Sequence, residues 1–472
     1  MNDKLGKKEF KKKWVYLILI FTGFFIARNF VPEGLDQAGW DGFLVLFLTV
    51  LMWITNAVPM AVTAVFALFF AGWTAFETQE NILAAFSGTG VFFLLGAMII
   101  GHVFTKVGLG KRISLYILPL LGSKASMVLL SIMLGTGIIS MFLADIPTAL
   151  IFYGISLPIL KQNNCEPGHS NFGKAVMLGI PTAAALGGIG TPAGSGMNAI
   201  TMQLIKTIAN VEITFTQWTI IGAPIALLSL VVAWRILLKA YKPEIDVVDG
   251  LSSLKEDRKS QGKFTSDEWK FGIVFLTMVF FWFFPKLSGL SMYQISWFGI
   301  FILALPGMDL INWKEINGSL DWSAILICGT ATALATVVAN LGTGAWLSQI
   351  LSDLFLGDIA KQGLIFLVLA INLMMMVGHY PMPQGVSLVG LALPVVLALA
   401  TQMNINPLIV ALPVSMSTSM LLLVPIDPTM YTTYSGGYWE IKDMMKIGVV
   451  ITLAYVLINT IWMVGAVSIG IL

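Results

Sequence analysis

Long apolar runs separated by short polar connections organise this chain from end to end. Runs fit near 14–31, 42–58, 60–75 and 82–104, and the next block, 126–160, is interrupted in its middle by Asp145 and Pro147. Two more fit 175–205 and 218–238. After the most polar stretch, 239–270, others fit 269–285, 293–307, 321–340, a second interrupted block at 363–400, 407–435 and 443–471. A hydrocarbon core is crossed by about 20 residues of helix, the length of most of these runs. They lack the two-residue alternation of a membrane barrel, and backbone groups in lipid must find partners inside their own segment, so the runs are predicted to be helices. Pro147 would remove a hydrogen bond from a continuous helix, so 126–160 should break there, as one kinked span or as a re-entrant hairpin.

Composition agrees with this pattern. With 57% hydrophobic and 11% charged residues the chain is predicted to be polytopic in a membrane, and a net charge of +2 gives no reason to expect nucleic acid. Cys165 and Cys328 form no CxxC pair, which argues against a metal centre or disulfide. Six lysines precede Trp14, the connection 32–41 is acidic, and 105–124 carries Lys106, Lys111, Arg112 and Lys124 without an acid. Positive charge stays inside, so an uncleaved first span with a cytoplasmic N-terminus is expected, in a bacterial inner membrane. The seven basic and seven acidic residues of 239–270 read as a solvated loop joining two halves.

A repeat relates those halves. A constant shift of 234 residues lays Val107-Gly-Leu-Gly-Lys-Arg-Ile-Ser114 on Leu341-Gly-Thr-Gly-Ala-Trp-Leu-Ser348, and Asp145-Ile-Pro147 on His379-Tyr-Pro381. Five crossings separate the two glycine loops if both interrupted blocks are hairpins, and an odd number inverts the second copy. Inverted repeats with broken helices build secondary transporters, whose sites lie near the midplane. A further pair of breaks is expected at 187–198, rich in Gly and Pro, and at 415–429. Carbonyls freed there, with the hydroxyls of Thr191, Ser195, Ser415, Ser417, Thr418 and Ser419, suit a hard cation such as Na⁺. Asp145 and His379 are costly in a bilayer, which marks them as functional unless they only pair with each other or with backbone. His102 has no repeat partner and reads as interior packing.

Several elements then resemble the divalent anion/sodium symporter family. Trp53-Ile-Thr-Asn-Ala-Val-Pro59 is similar to its W-x-T-E-A-x-P element, and Val107-Gly-Leu-Gly-Lys-Arg112 to its x-G-L-x-K-R turn. Gly187-Gly-Ile-Gly-Thr191, Gly194-Ser-Gly-Met-Asn198, Ser435-Gly-Gly-Tyr438 and Lys442-Asp-Met-Met-Lys446 resemble later elements in the same order. The resemblance implies an all-α polytopic protein with an inverted repeat, two re-entrant hairpins and about eleven transmembrane helices, in agreement with the charge count. It also implies a homodimer working by an elevator movement. Domains would be 1–125, N-terminal scaffold helices; 126–240, first hairpin and broken helix of a transport domain; 241–268, cytoplasmic linker; 269–358, second scaffold helices; and 359–472, second hairpin and broken helix.

The departures are specific. Where the family carries Ser-Asn-Thr at each hairpin tip, this chain has Ala144-Asp145-Ile146 and Gly378-His379-Tyr380; Asn56 replaces a Glu, and Ile426-Asp-Pro-Thr-Met430 replaces a G-T-P-P-N run. Substrate contacts are expected from Asp145, Ile146, Pro147, Thr148, Ser195, Asn198, His379, Tyr380, Pro381, Gln384, Asp427 and Thr429. Candidate Na⁺ ligands are Ala144, Asp145, Gly188, Gly190, Thr191, Gly378, His379, Ser417 and Thr418. An ionised Asp145 would repel a dianion by several kcal/mol in a low-dielectric site, so family-type dicarboxylate recognition does not transfer directly. Sequence therefore leads to Na⁺-coupled uptake or exchange of a small organic or inorganic anion; the alternative is a proton-coupled carrier of a zwitterionic or non-dicarboxylate substrate using Asp145 and His379. Enzyme motifs and phosphate loops are missing, Na⁺ is the one ion implied, and no cofactor is expected.

Overall fold

The computed structural model describes residues 2–74, 77–250, 258, 260–382, 385–419 and 428–472, with side chains from residue 10 onward. Among them the secondary structure is helical apart from one bridge pairing Lys124 with Val247. Helices α1 (Asn2–Ala27), α2 (Gln37–Thr55) and α3 (Met60–Trp73) open the chain. Arg28 forks onto Asp41 at 2.9–3.1 Å, and Gln37 Nε2 donates to the same carboxylate at 2.9 Å, which pins α1 to α2. The run expected as one span at 82–104 is two helices, α4 (Gln79–Phe86) and α5 (Thr89–Lys106). The break falls at Ser87-Gly88, where Gln203 lies against Gly88 and accepts from Gly90 N at 2.7 Å, satisfying an orphan amide at the start of α5.

Then come α6 (Leu109–Ile117), α7 (Ala125–Ser140), α8 (Asp145–Gln162), α9 (Asn171–Gly188), α10 (Gly196–Ala209) and α11 (Phe215–Ala240). The second half holds α12 (Ser266–Phe283), α13 (Pro285–Ser288), α14 (Met292–Leu303), α15 (Trp313–Ser319), α16 (Trp322–Asn340) and α17 (Thr343–Leu351). A π-helical turn, Ser352–Leu356, continues α17 into α18 (Gly357–Gln362), and α19 (Leu364–His379), α20 (Gly385–Gln402), α21 (Pro407–Thr418), α22 (Pro428–Tyr434) and α23 (Ile441–Ser468) complete the chain. Six of these segments, α4 and α5 counting as one, are long and apolar enough to cross a membrane unaided. Both interrupted blocks are helix pairs, α7 with α8 and α19 with α20. Pro147 sits in the first turn of α8, where its missing N–H leaves nothing unpaired; the break precedes it, at 141–144.

The repeat is visible in backbone conformation. Gly108 (φ 84°) and Gly342 (φ 77°) are left-handed N-caps of α6 and α17, 234 residues apart. What reads in the sequence as glycine loops are therefore helices lying beside the hairpins. A Cβ at Gly110 would stand 2.6 Å from Ile151 Cδ1 of α8, and one at Gly344 would stand 2.9 Å from the Pro394 carbonyl of α20. Arg112 and Trp346, again 234 apart, anchor the two helices. The Arg112 guanidinium, buried with its partner, donates to Glu268 at 2.6 Å, and Trp346 Nε1 donates to the Glu33 carbonyl at 3.1 Å.

Small residues set the tightest helix approach, as is usual where lipid supplies no hydrophobic drive between helices. A Cβ on Gly187 of α9 would strike the Gly137 carbonyl of α7. The polar linker also has more structure than a solvated loop. Ala125 N donates to the Asp246 carbonyl at 2.9 Å, Val248 N to the Ser123 carbonyl at 2.8 Å, and Asn163 and Asp249 exchange two bonds of 2.8–2.9 Å. Residues 246–249 thus strap together the two feet of the first hairpin.

A candidate transport site at two chain breaks

The first hairpin meets the unwound stretch between α9 and α10, residues 189–195. Asn198 Nδ2 donates to the carbonyls of Gly188 and Thr191, both at 2.8 Å, while its Oδ1 accepts from Ser415 Oγ of α21 at 3.2 Å. Thr191 Oγ1 donates to the Met141 carbonyl in the hairpin break, and Trp218 Nε1 holds the Ile189 carbonyl at 3.1 Å. Unwinding a helix in lipid frees backbone groups, and these side chains satisfy them without closing the gap.

Asp145 is the first residue of α8, where the positive end of the helix favours its charge. Its Oδ1 accepts from Ser140 Oγ at 2.8 Å; the same hydroxyl lies 2.8 Å from the Ala184 carbonyl and can serve one of the two at a time. Gly188 leaves room for this carboxylate, since a Cβ there would stand 2.5 Å from Oδ1 and 3.3 Å from Oδ2. At Gly194 a Cβ would lie 2.6 Å from the Gly188 carbonyl and 2.8 Å from that of Ser140. A carboxylate against Gly188 and two carbonyls against Gly194 thus flank this glycine-rich stretch, hard oxygens of the kind that hard cations take as ligands.

The second hairpin is not a simple copy. His379, 3% exposed, ends α19, whereas Asp145 begins α8. Shifting the first break by 234 residues lands on 375–378, which are helical here, so the second break is displaced toward the C-terminus. The two residues match in sequence but stand on opposite sides of their turns. Tyr380 and Pro381 are exposed beyond His379, and Gly378 lies beside Leu388. Gln384 and Asp427 lie outside the described residues.

Other expected contacts sort by what their side chains hold. Thr148 is buried with its hydroxyl on the Ala144 carbonyl at 3.1 Å, and Asn198 is fully committed to the unwound stretch, so both are structural here. Ser417 Oγ donates to Asn372 at 2.5 Å, whose amide passes on to Thr460 at 3.0 Å; Thr418 Oγ1 donates to the Ser415 carbonyl at 2.6 Å. These two candidate ion ligands face helix packing. Thr429 is buried near the start of α22, and Gly190 packs on Met141. Ala144, Ser195 and Pro192 line a cleft of about 30 Å³ against Phe93, Leu94 and Met98 of α5, with Ile146 and Pro147 just behind the break. Ser140 and Asn372 escaped the sequence reading, although a lone amide inside the apolar run 364–379 was a signal of the same kind as Asp145. His102 also differs from expectation: its Nε2 lies 3.4 Å from Glu315 Oε1.

Residues 10–468 match the family described as the sodium:sulfate symporter transmembrane region. The sodium-dependent dicarboxylate transporter SdcS of Staphylococcus saprophyticus is 26% identical over 445 residues, spanning 89% of this chain and 84% of the relative. SdcS of Staphylococcus aureus is 24% identical over 473 residues, spanning 94% and 89%. Among solved structures, the YdaH transporter of Alcanivorax borkumensis superposes with a TM-score of 0.57 at 10% identity, over 92% of this chain and 99% of that one, a likeness of fold alone.

Proposed function

From the premise that this chain belongs to the sodium:sulfate symporter family, as a sodium-coupled anion transporter and not an enzyme, we propose that its cation and anion meet where the first hairpin abuts the unwound stretch of α9–α10. The observation that carries this reading is the seat of the Asp145 carboxylate against Gly188, held by the Ser140 hydroxyl at the edge of the unwound stretch. In this role Asp145 ligates Na⁺, with backbone oxygens of 188–191 and Ala144 beside it. His379, with Gly378, Tyr380 and Pro381 around the second break, faces the anion, and Ser195 closes the cleft.

The transport unit comprises 126–240 and 359–472, carried against scaffold helices in 1–125 and 269–358 with 241–268 as linker. The main apolar core joins residues of both parts, while a smaller one gathers α1–α4 with α16 around Leu48, Ile82 and Leu334. The unit moves as an elevator within a homodimer in the bacterial inner membrane, its N-terminus in the cytoplasm.

Sodium-driven uptake by purified protein in vesicles tests the assignment. Asp145→Asn keeps the shape of the side chain and removes its charge, so uptake should be lost or freed of its normal Na⁺ dependence. Wild-type kinetics and Na⁺ dependence in that variant would refute the role of Asp145. A second reading, proton coupling, draws on the burial of His379, because an imidazole titrates near neutral pH. It requires uptake driven by a pH gradient in sodium-free vesicles.

A further inference from the structure

We propose that this protein holds a site for one anionic phospholipid, with an acyl tail in a groove between α12 and α14 and the phosphate at Lys286. The site is independent of the role assigned to Asp145.

Glycine opens the groove. A Cβ on Gly299 of α14 would strike the Met278 sulfur of α12, so the two helices meet over that methionine and leave a furrow beside it. Its volume is about 390 Å³, with Ile273, Thr277 and Phe281 on one wall and Ile295, Phe298 and Ile302 on the other. Ile273 to Phe281 covers about 12 Å of helix, close to the depth of one leaflet, about 15 Å. Ile273, Leu276, Phe298 and Phe301 are exposed along its banks, and apolar side chains so exposed on membrane helices face lipid. An acyl chain is the occupant that matches both this depth and these walls.

Charge stands at one end. Leu290 lines the groove and also a second cavity of about 470 Å³, so the two adjoin there. That cavity is lined by Lys206, Glu212 and Thr214 at the corner between α10 and α11, and by Lys286, Tyr293 and Gln294 around α13 and α14. Lys206 pairs with Glu212 at 2.8 Å. Lys286 is exposed and has no ion-pair partner among the described residues, which leaves the cavity one positive charge to be matched. α11 runs toward the linker and α12 away from it, so 210–214 and 284–291 lie together on the membrane face opposite the linker. A cation at the head of an acyl groove, at headgroup level, suits a phosphate carried on a lipid. Lipid seated there holds the 210–214 corner against 284–291, beside the 2.7 Å bond that Thr216 Oγ1 donates to the Phe283 carbonyl.

Lipid binding by the purified full-length protein tests this site. After detergent washing, melting temperature and native mass spectra would be recorded with dioleoyl phosphatidylglycerol, dioleoyl phosphatidylcholine or soluble glycerol phosphate. The unsubstituted protein should bind phosphatidylglycerol in preference to phosphatidylcholine and melt higher with it. Lys286→Gln should raise the half-saturating phosphatidylglycerol concentration about fivefold, as expected for one basic side chain at an anionic membrane surface. Thr277→Phe, at an exposed position of the groove, should weaken both lipids, and Lys314→Gln, exposed on the linker side, should change neither. Equal phosphatidylglycerol binding with and without Lys286, or glycerol phosphate alone raising the melting temperature as far, would overturn the proposal. So would a disulfide formed between copies through Thr277→Cys, which would place a second copy over the groove.

Discussion

Replacing Gly188 with Ala tests the candidate cation site without touching an ionisable residue. The added methyl would stand 2.5 Å from Asp145 Oδ1, 3.2 Å from its Cγ and 3.3 Å from Oδ2. The first distance is shorter than any ordinary contact, and the atom that must yield is a side-chain oxygen, not backbone. The carboxylate therefore swings away, losing the 2.8 Å bond from Ser140. A charge-assisted hydrogen bond is worth about 1.5–3 kcal/mol and an off-rotamer side chain costs about 0.5–1.5 kcal/mol, so restoring the ligating position costs about 2–4 kcal/mol. If sodium needs that position, its apparent affinity falls by roughly 30- to 700-fold at about 1.4 kcal/mol per decade. The assay is the Na⁺ dependence of uptake, paired with Na⁺-induced thermal stabilisation. Adding Gly188→Ala to an Asp145→Ala background should then change little, since the clashing group is gone and contacting residues do not act independently. An unchanged Na⁺ half-saturation in Gly188→Ala, or additive effects in the pair, would refute the site. Gly187→Ala is the control, because its Cβ would strike the Gly137 backbone of α7 and should disturb folding itself.

Two predictions concern stability. Arg112→Ala leaves Glu268 buried without its 2.6 Å partner and should destabilise the protein by about 3–5 kcal/mol in denaturant unfolding, with part regained in Arg112→Ala/Glu268→Gln. Glu244 on the linker resists its partial burial through bonds from the Ser170 hydroxyl and the Phe172 amide, so its carboxyl is held below 4.5. A depressed folded-state pKa contributes stability that is fully present above 4.5 and is lost as pH falls through the folded value. The melting temperature should therefore drop below that pH, and Glu244→Gln should flatten the drop; an unchanged acid slope would remove Glu244 from the account.

The spans were legible because lipid imposes a local rule: a run of about 20 apolar residues must be helical wherever it occurs. The same rule made Asp145 and His379 conspicuous, and the Gly108 and Gly342 caps confirm the register of the repeat. Less legible were α6 and α17, because short helices beside a hairpin carry no membrane-length signal. The division of 82–104 falls on Ser87-Gly88, a local breaker, while the Gln203 side chain that receives the Gly90 amide there lies 113 positions away.

Sequence alone thus determined a helical membrane protein built from two related halves, each interrupted at matching blocks, because apolar period and backbone chemistry act over neighbouring residues. Tertiary structure decided what the polar groups at each interruption hold. Asn198 reads as a substrate ligand but spends its amide on Gly188 and Thr191, while Ser140, unremarkable in sequence, holds the Asp145 carboxylate. A polar group freed by a helix break takes whichever partner the fold brings within about 3 Å, and that partner often comes from another element of the chain.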